Sequence, residues 1–155
     1  MERSKVVWKR PGFLIRRLHQ ISVAIFISEC TATEREITAV QWGVLSIISE
    51  YPGVGQIEIA EELGLDRSNA ANVVARLTKR GLLRQKVSPT DQRKKEITIT
   101  KAGERAMKEL EGCAQRFQRK LLNPLTESER DIFVELLTRL VQQNNHLGRA
   151  LLRMT

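Results

Sequence analysis

The stretch Gln56 to Arg76, QIEIAEELGLDRSNAANVVAR, constrains this chain more than any other, because it reads as two short helices joined by a tight turn. Helices that cross steeply need a small residue where they touch, and Ala60 supplies it. The turn needs a left-handed backbone, and Gly64 comes four residues later. Ile59, Leu63, Leu65, Ala70 and Val73 fall where the pair closes over a shared core. Asp66 is placed to cap the second helix through the free amides of its first turn. This is a helix-turn-helix pattern. In such motifs the second helix, here starting near Arg67, enters a DNA major groove.

Charge supports that reading. The 155 residues carry a net charge of +8, and the charge is segregated. Residues 64–101 hold ten Lys/Arg against three acids, whereas residues 21–63 hold one Arg against seven Glu. Residues 1–20 hold six basic residues and one acid. The positive block coincides with the second helix and the segment after it. This points to a polyanion as partner, and to nucleic acid rather than a membrane surface.

Other function classes find little support. Hydrophobic content of 41% with 28% charged residues excludes disorder and suits one domain, or a small domain with dimerising extensions. The longest apolar-rich run, Ile21 to Ile27, is far short of the ~20 residues a bilayer span needs. The Lys/Arg-dotted first 20 residues do not read as a secretory signal. The expected setting is the cytoplasm, with no membrane partner. Cys30 and Cys113 make neither a metal-ligand spacing nor a disulfide framework, so no metal or cofactor is expected. His19 and His146 lie far apart in sequence, with no nucleophile motif or phosphate loop, so no enzyme is expected either.

The rest of the chain is organised around the motif. Pro11-Gly12 opens a long helix in which Leu14, Leu18, Ile21 and Ile25 recur at spacings of three and four, the mark of one buried stripe. A second helix begins near Thr38, runs through Trp42, Leu45 and Ile48, and ends before Tyr51-Pro52-Gly53. Gly81 is placed to end the second helix of the motif. Leu82–Val87 and Glu96–Ile99 lean to β-structure and read as a hairpin with a basic tip. Thr100 caps a further helix, broken at Asn123-Pro124. Thr126 with Glu129 forms a capping box for a last helix that runs nearly to the C-terminus, with Phe133, Leu137, Leu140, Leu147 and Leu151 on its apolar face. The fold class is therefore mainly α with a small β-hairpin wing (α+β). The expected division is residues 1–35 and 101–155 as dimerisation helices around a winged helix-turn-helix at 36–100. Apolar faces on long outer helices exceed what so small a core can cover, and a homodimer resolves this most simply.

With the wing in place, the chain resembles the MarR family of bacterial transcription regulators over nearly its whole length. Asp91-x-Arg93-x-x-x-Ile97-x-Ile99-Thr100-x-x-Gly103 is similar to the family's wing signature. Leu77-Thr78-Lys79-Arg80-Gly81-Leu82 resembles its exit from the recognition helix, and Gln41-Trp42 with Val44-Leu45 its second helix. The resemblance implies a homodimer with interlocking terminal helices. It also implies a pseudo-palindromic operator in double-stranded DNA, and release of that DNA by a small, often aromatic, anionic molecule. Ala75 departs from the acid that many relatives carry, which touches the arrangement around Arg76.

On these terms the candidate base-reading residues are Arg67, Ser68, Asn69, Asn72 and Arg76, since Asn can bond an adenine edge and Arg a guanine edge in bidentate fashion. The alternative for Ser68 and Asn69 is helix capping. Arg93 at the wing tip suits a narrow minor groove, with Asp91 orienting it. Lys86, Lys94 and Lys95 read as phosphate contacts or as a solvated face. A candidate effector face runs along the first helix through Arg16 and His19, continued by Val23 and Phe26 and flanked by Arg17 and Gln20. Trp42 is its candidate aromatic wall. A cationic cluster beside apolar residues suits an aromatic carboxylate or a CoA thioester of one. The string at 16–20 also resembles regulators of aromatic-compound breakdown. The alternatives are phosphate binding, pairing with Glu29, Glu34 or Glu36, and Trp42 as plain core. Two other readings stay open: a peroxide sensor acting through Cys30, and a winged helix that binds protein without reading DNA.

Overall fold

A computed structural model describes residues 9–30, 37–150 and 152–153. In chain order the elements are α1 (Pro11–Cys30), α2 (Ala39–Glu50), α3 (Gln56–Leu63), α4 (Arg67–Lys79), β1 (Leu83–Val87), β2 (Lys95–Ile99), α5 (Lys101–Leu122) and α6 (Glu127–Asn144), with one 3-10 turn at Asn145–Leu147.

The helix starts are set locally. The Thr38 and Thr126 hydroxyls accept the main-chain N–H of Gln41 and Glu129, whose side chains bond back to the cap backbone. Asp66 Oδ1 accepts the Asn69 N–H at 2.7 Å, and Thr100 Oγ1 accepts the Gly103 N–H at 3.1 Å. Each such cap contributes about 1 kcal/mol to its helix. The turn between α3 and α4 passes through Gly64 at φ 60°, where any side chain would be strained, and Gly64 N–H returns to the Ala60 and Glu61 carbonyls. Gly81, at φ 72°, ends α4 in the same way.

β1 and β2 pair antiparallel with Gln85 opposite Ile97. The segment after α2 is bound to this hairpin: Gly53 N–H donates to the Ile97 carbonyl at 3.0 Å, and Ile97 N–H to the Val54 carbonyl at 3.1 Å. Leu45, Ile48, Ile59, Leu77, Leu82, Ile97 and Leu110 are fully buried in one core that draws on α2, α3, α4, the hairpin and the first half of α5. Phe26 and Cys30 bring the end of α1 into the same core, with Phe26 edge-on to Phe117 at 5.5 Å. Glu29 accepts from Lys120 Nζ at 2.8 Å and Arg116 Nε at 3.3 Å, and so pins α1 to α5.

Two expectations about the outer helices need correction. The α1 stripe is not buried within one chain: Leu14, Leu18 and Ile21 are exposed, and only the last turns of the helix reach the core. Its periodicity marks a face that this single domain has no second layer to cover. The last helix also stops earlier than expected. It ends at Asn144, and Leu147 lies 72% exposed in the turn beyond. Asn145 keeps a helical backbone and opens the 3-10 turn, and its side chain bonds the main chain of Leu152. No residue of α6 is buried, although Phe133 and Leu137 are half-covered. Glu34, Glu36 and Leu151 fall outside the described residues. Among the described residues no helix is long and apolar enough to cross a membrane.

Candidate nucleic-acid interface

The two faces of α4 have different fates. Ala70, Val73, Val74 and Leu77 are buried in the core, while Arg67, Ser68, Asn69, Asn72 and Arg76 are all exposed or partly so at the surface. The polar side chains are therefore open to solvent on a helix whose apolar side is packed into the core. The Asp66 side chain caps α4 through the Asn69 main chain, which leaves the Asn69 amide side chain at the surface. Ala75, beside Arg76, is exposed and offers that guanidinium no charge to pair with.

The hairpin places a second basic element. Its loop is closed by two main-chain bonds, Ser88 N–H to the Lys94 carbonyl and Lys94 N–H to the Asp91 carbonyl, each 2.9 Å. Asp91 Oδ1 accepts both the main-chain N–H of Arg93 at 3.0 Å and its Nε at 3.3 Å. The Arg93 side chain is nonetheless 92% exposed. It is thus oriented at the tip without being neutralised by burial. Ser88 is itself buried and donates to Glu96 Oε1 at 2.7 Å, which stiffens the base of the loop. Lys86 and Lys94 are exposed on the same hairpin.

Between the wing and the start of α3 lies a cleft of about 430 Å³, lined by Gly55, Gln56, Arg93, Lys94 and Lys95, with Glu58 and Glu96 also present. Its formation was not legible in the sequence, because the wing and the first turn of α3 are about 35 residues apart and are brought together by the bonds of Gly53 and Val54 to Ile97. A second cleft, of about 300 Å³, joins the start of α4 to Arg149 and Ala150.

The candidate effector residues are less closely assembled. Arg16, Arg17 and His19 lie on the exposed first half of α1. Arg16 sits 5.2 Å from the Phe13 ring centroid, and Arg17 Nη1 donates to Gln20 at 3.4 Å. Within the chain these contacts turn them toward their own helix rather than toward Trp42. Trp42 packs against the core, yet its indole N–H is buried with no acceptor among the described residues. Glu29, a candidate partner for the arginines of α1, is occupied by Lys120 and Arg116, and these bonds hold its carboxyl below the usual carboxylate range.

Cys30 lies buried against α5, near Cys113. Burial, with Cys113 beside it and the Glu29 charge nearby, pushes its thiol up to about 12 against the pull of Arg116. A peroxide-sensing cysteine needs the opposite shift, because the thiolate is the reactive form.

Comparison with known proteins agrees with this architecture. The sequence pattern of the MarR family matches residues 37–95. A relative from Thauera aromatica, a putative transcriptional regulatory protein for the hcr operon, is 31% identical over 134 residues, which cover 86% of this chain and 80% of that protein. The PcaV transcriptional regulator of Streptomyces coelicolor, solved in complex with its natural ligand, superposes with a TM-score of 0.82 at 33% identity, covering 88% of this chain and 94% of that one. BpsR of Bordetella bronchiseptica, whose DNA binding is regulated by 6-hydroxynicotinic acid, gives 0.80 at 27% identity over 85% of this chain and 93% of its own.

Proposed function

The chain belongs to the MarR family of transcriptional regulators, and from that premise we propose that it acts as a homodimeric repressor released from a palindromic operator by a small aromatic anion. The observation that carries the DNA-reading part is the divided surface of α4. Its apolar side is packed in the core, and Arg67, Ser68, Asn69, Asn72 and Arg76 are all exposed. In this reading those five side chains meet base edges and phosphates in the major groove. Arg93, steered by Asp91, enters the flanking minor groove, and Lys86 and Lys94 bind phosphates.

The uncovered faces of α1 and α6 support the dimer. Leu14, Ile15, Ile21, Ile132, Leu136 and Leu140 are all exposed in one chain, and apolar helix faces left open in this way suit an interface. Residues 1–35 and 101–155 then pair across the two-fold axis and leave 36–100 to bind DNA. Two recognition helices spaced by about one DNA turn, ~34 Å, read two half-sites. The effector assignment rests on Arg16, Arg17 and His19 as the anion-binding group and on Trp42, whose indole N–H is a donor with no acceptor among the described residues. The acid that regulates BpsR, an aromatic carboxylate, is of the chemistry such a group accepts. A ligand that fits only one spacing of the two protomers binds differentially, and so weakens DNA affinity.

The test is fluorescence anisotropy of labelled DNA from this gene's upstream region beside a scrambled fragment, at near-physiological salt. Aromatic acids and their CoA thioesters are then added to the complex. Preferential binding reversed by one such compound is the expected result. Equal, weak binding to both fragments refutes sequence reading. Monomeric sedimentation at micromolar concentration refutes the dimer.

A further inference from the structure

The chain beyond α6 folds back onto the DNA-binding motif. Asn145 Oδ1 accepts the Leu152 N–H at 2.9 Å, and its amide Nδ2 donates to the Leu152 carbonyl at 2.6 Å, so one side chain clasps both main-chain groups of a residue seven positions on. Arg153 N–H then donates to the Glu61 carbonyl at 2.7 Å. Glu61 lies in the last turn of α3, and its carbonyl also accepts the Gly64 N–H, at 3.4 Å. Leu152 lies over the turn itself: a Cβ built on Gly64 stands 3.4 Å from its Cβ. Arg149 and Ala150 line the cleft whose other wall includes Leu65, Asp66 and Arg67, the start of α4. Because α6 buries no residue, these contacts are the hydrogen-bonded link, among the described residues, between the C-terminal arm and the α3–α4 turn.

We propose that Asn145, Leu152 and Arg153 form a tie that fixes the position of the α3–α4 turn, and with it the start of α4, relative to α6. The inference rests on the reading of α4 as the DNA-contacting helix. A turn held at Glu61 and Gly64 loses less freedom when α4 enters a groove, so the tie raises operator affinity by pre-organisation. It also gives any shift of α6 against its dimer partner a short route, through main-chain bonds, to the recognition helix. The two arginines of the tail take no part in the tie through their charges, since its bonds are main-chain and Asn145 bonds.

Asn145→Ala in the full chain removes both clasping bonds and touches no residue assigned to DNA. Amide hydrogen exchange at Leu152, Arg153 and Leu65 reports the tie directly. Anisotropy with operator and scrambled DNA over a salt series reports its effect. The expected outcome is faster exchange at these amides and operator affinity lower by about tenfold, about 1.4 kcal/mol, with the salt slope unchanged. Arg149→Gln with Arg153→Gln leaves exchange and affinity as they are. Fast exchange of the Arg153 amide in the unmodified protein overturns the tie whatever Asn145→Ala does to folding. Unchanged exchange and affinity in a folded Asn145→Ala protein also overturn it. A salt slope reduced by about 0.9 per arginine in the double variant reassigns the tail to phosphate contact. If the unmodified protein does not prefer operator to scrambled DNA, the DNA reading fails, and exchange alone still decides the tie.

Discussion

Gly103→Ala on α5 offers a sharp test of how the wing is held, because two opposed effects can be weighed. Replacing Gly by Ala inside a helix stabilises it by about 1 kcal/mol when the new methyl group is free. At Gly103 it is not free. A Cβ built there collides with the main-chain carbonyl of Leu82 and stands 2.6 Å from Ile99 Cγ1. Neither neighbour yields easily, since Leu82 is buried at the entry to β1 and Ile99 packs on the core. Overpacking of this kind costs about 1–3 kcal/mol. The Leu82 carbonyl also accepts the Thr100 N–H at 3.0 Å and its hydroxyl at 3.2 Å. Pushing that carbonyl aside weakens both bonds, at about 1 kcal/mol each.

The balance is a net loss of about 2–4 kcal/mol, combining the overpacking and hydrogen-bond terms against the helix gain. Gly112, on the same helix, is the control. A Cβ there meets only Arg116 Nη1, at 3.5 Å, so Gly112→Ala is expected to stabilise by up to about 1 kcal/mol. Urea unfolding followed by circular dichroism measures both variants, at one protein concentration because association adds to apparent stability. With a slope of about 2 kcal/mol per molar urea, Gly103→Ala moves the midpoint down by about 1–2 M. Equal or greater stability in Gly103→Ala refutes the close approach of α5 to Leu82, and with it this account of how the wing base is positioned.

Other substitutions probe the interface and the α1–α5 contact. Arg93→Ala weakens operator binding by about 1–3 kcal/mol without moving the urea midpoint, because the side chain is 92% exposed; unchanged affinity removes the wing from the interface. Glu29 has its pKa lowered from 4.5, first by Lys120, so its ion pairs stabilise fully above about pH 4.5 and are lost as pH falls through the lower folded value. Glu29→Gln should therefore lower the midpoint at pH 6, and the deficit should shrink as pH falls below 4.5; a deficit that does not change with pH rules out the ion pairs as its cause. Cys30, pushed up to about 12, should resist iodoacetamide at pH 8 until the chain is unfolded, and Cys30→Ser should leave DNA binding and its response to peroxide unaltered. Rapid labelling of the native protein would restore the redox reading.

The sequence by itself determined the parts whose causes lie within a few residues. Thr38, Asp66, Thr100 and Thr126 cap the helices after them, Gly64 and Gly81 turn where left-handed backbone is needed, and Asp91 holds Arg93 two residues away. Each is a short-range bond or a backbone preference, written in the spacing of the residues. The polar face of α4 was legible for the same reason, since a helical period fixes which side chains share a side. Tertiary structure alone decided the rest. The stripe of α1 is apolar in the sequence, but whether one chain covers it depends on layers that no local pattern encodes, and Leu14, Leu18 and Ile21 remain exposed. Glu29 reaches Arg116 and Lys120 across 87 and 91 positions, and Cys30 meets Cys113, only because α1 lies along α5. The return of Leu152 and Arg153 to the α3–α4 turn is likewise a product of packing: Asn145 could have continued the helix, and the acceptor offered at Glu61 by a distant element makes the fold-back stable.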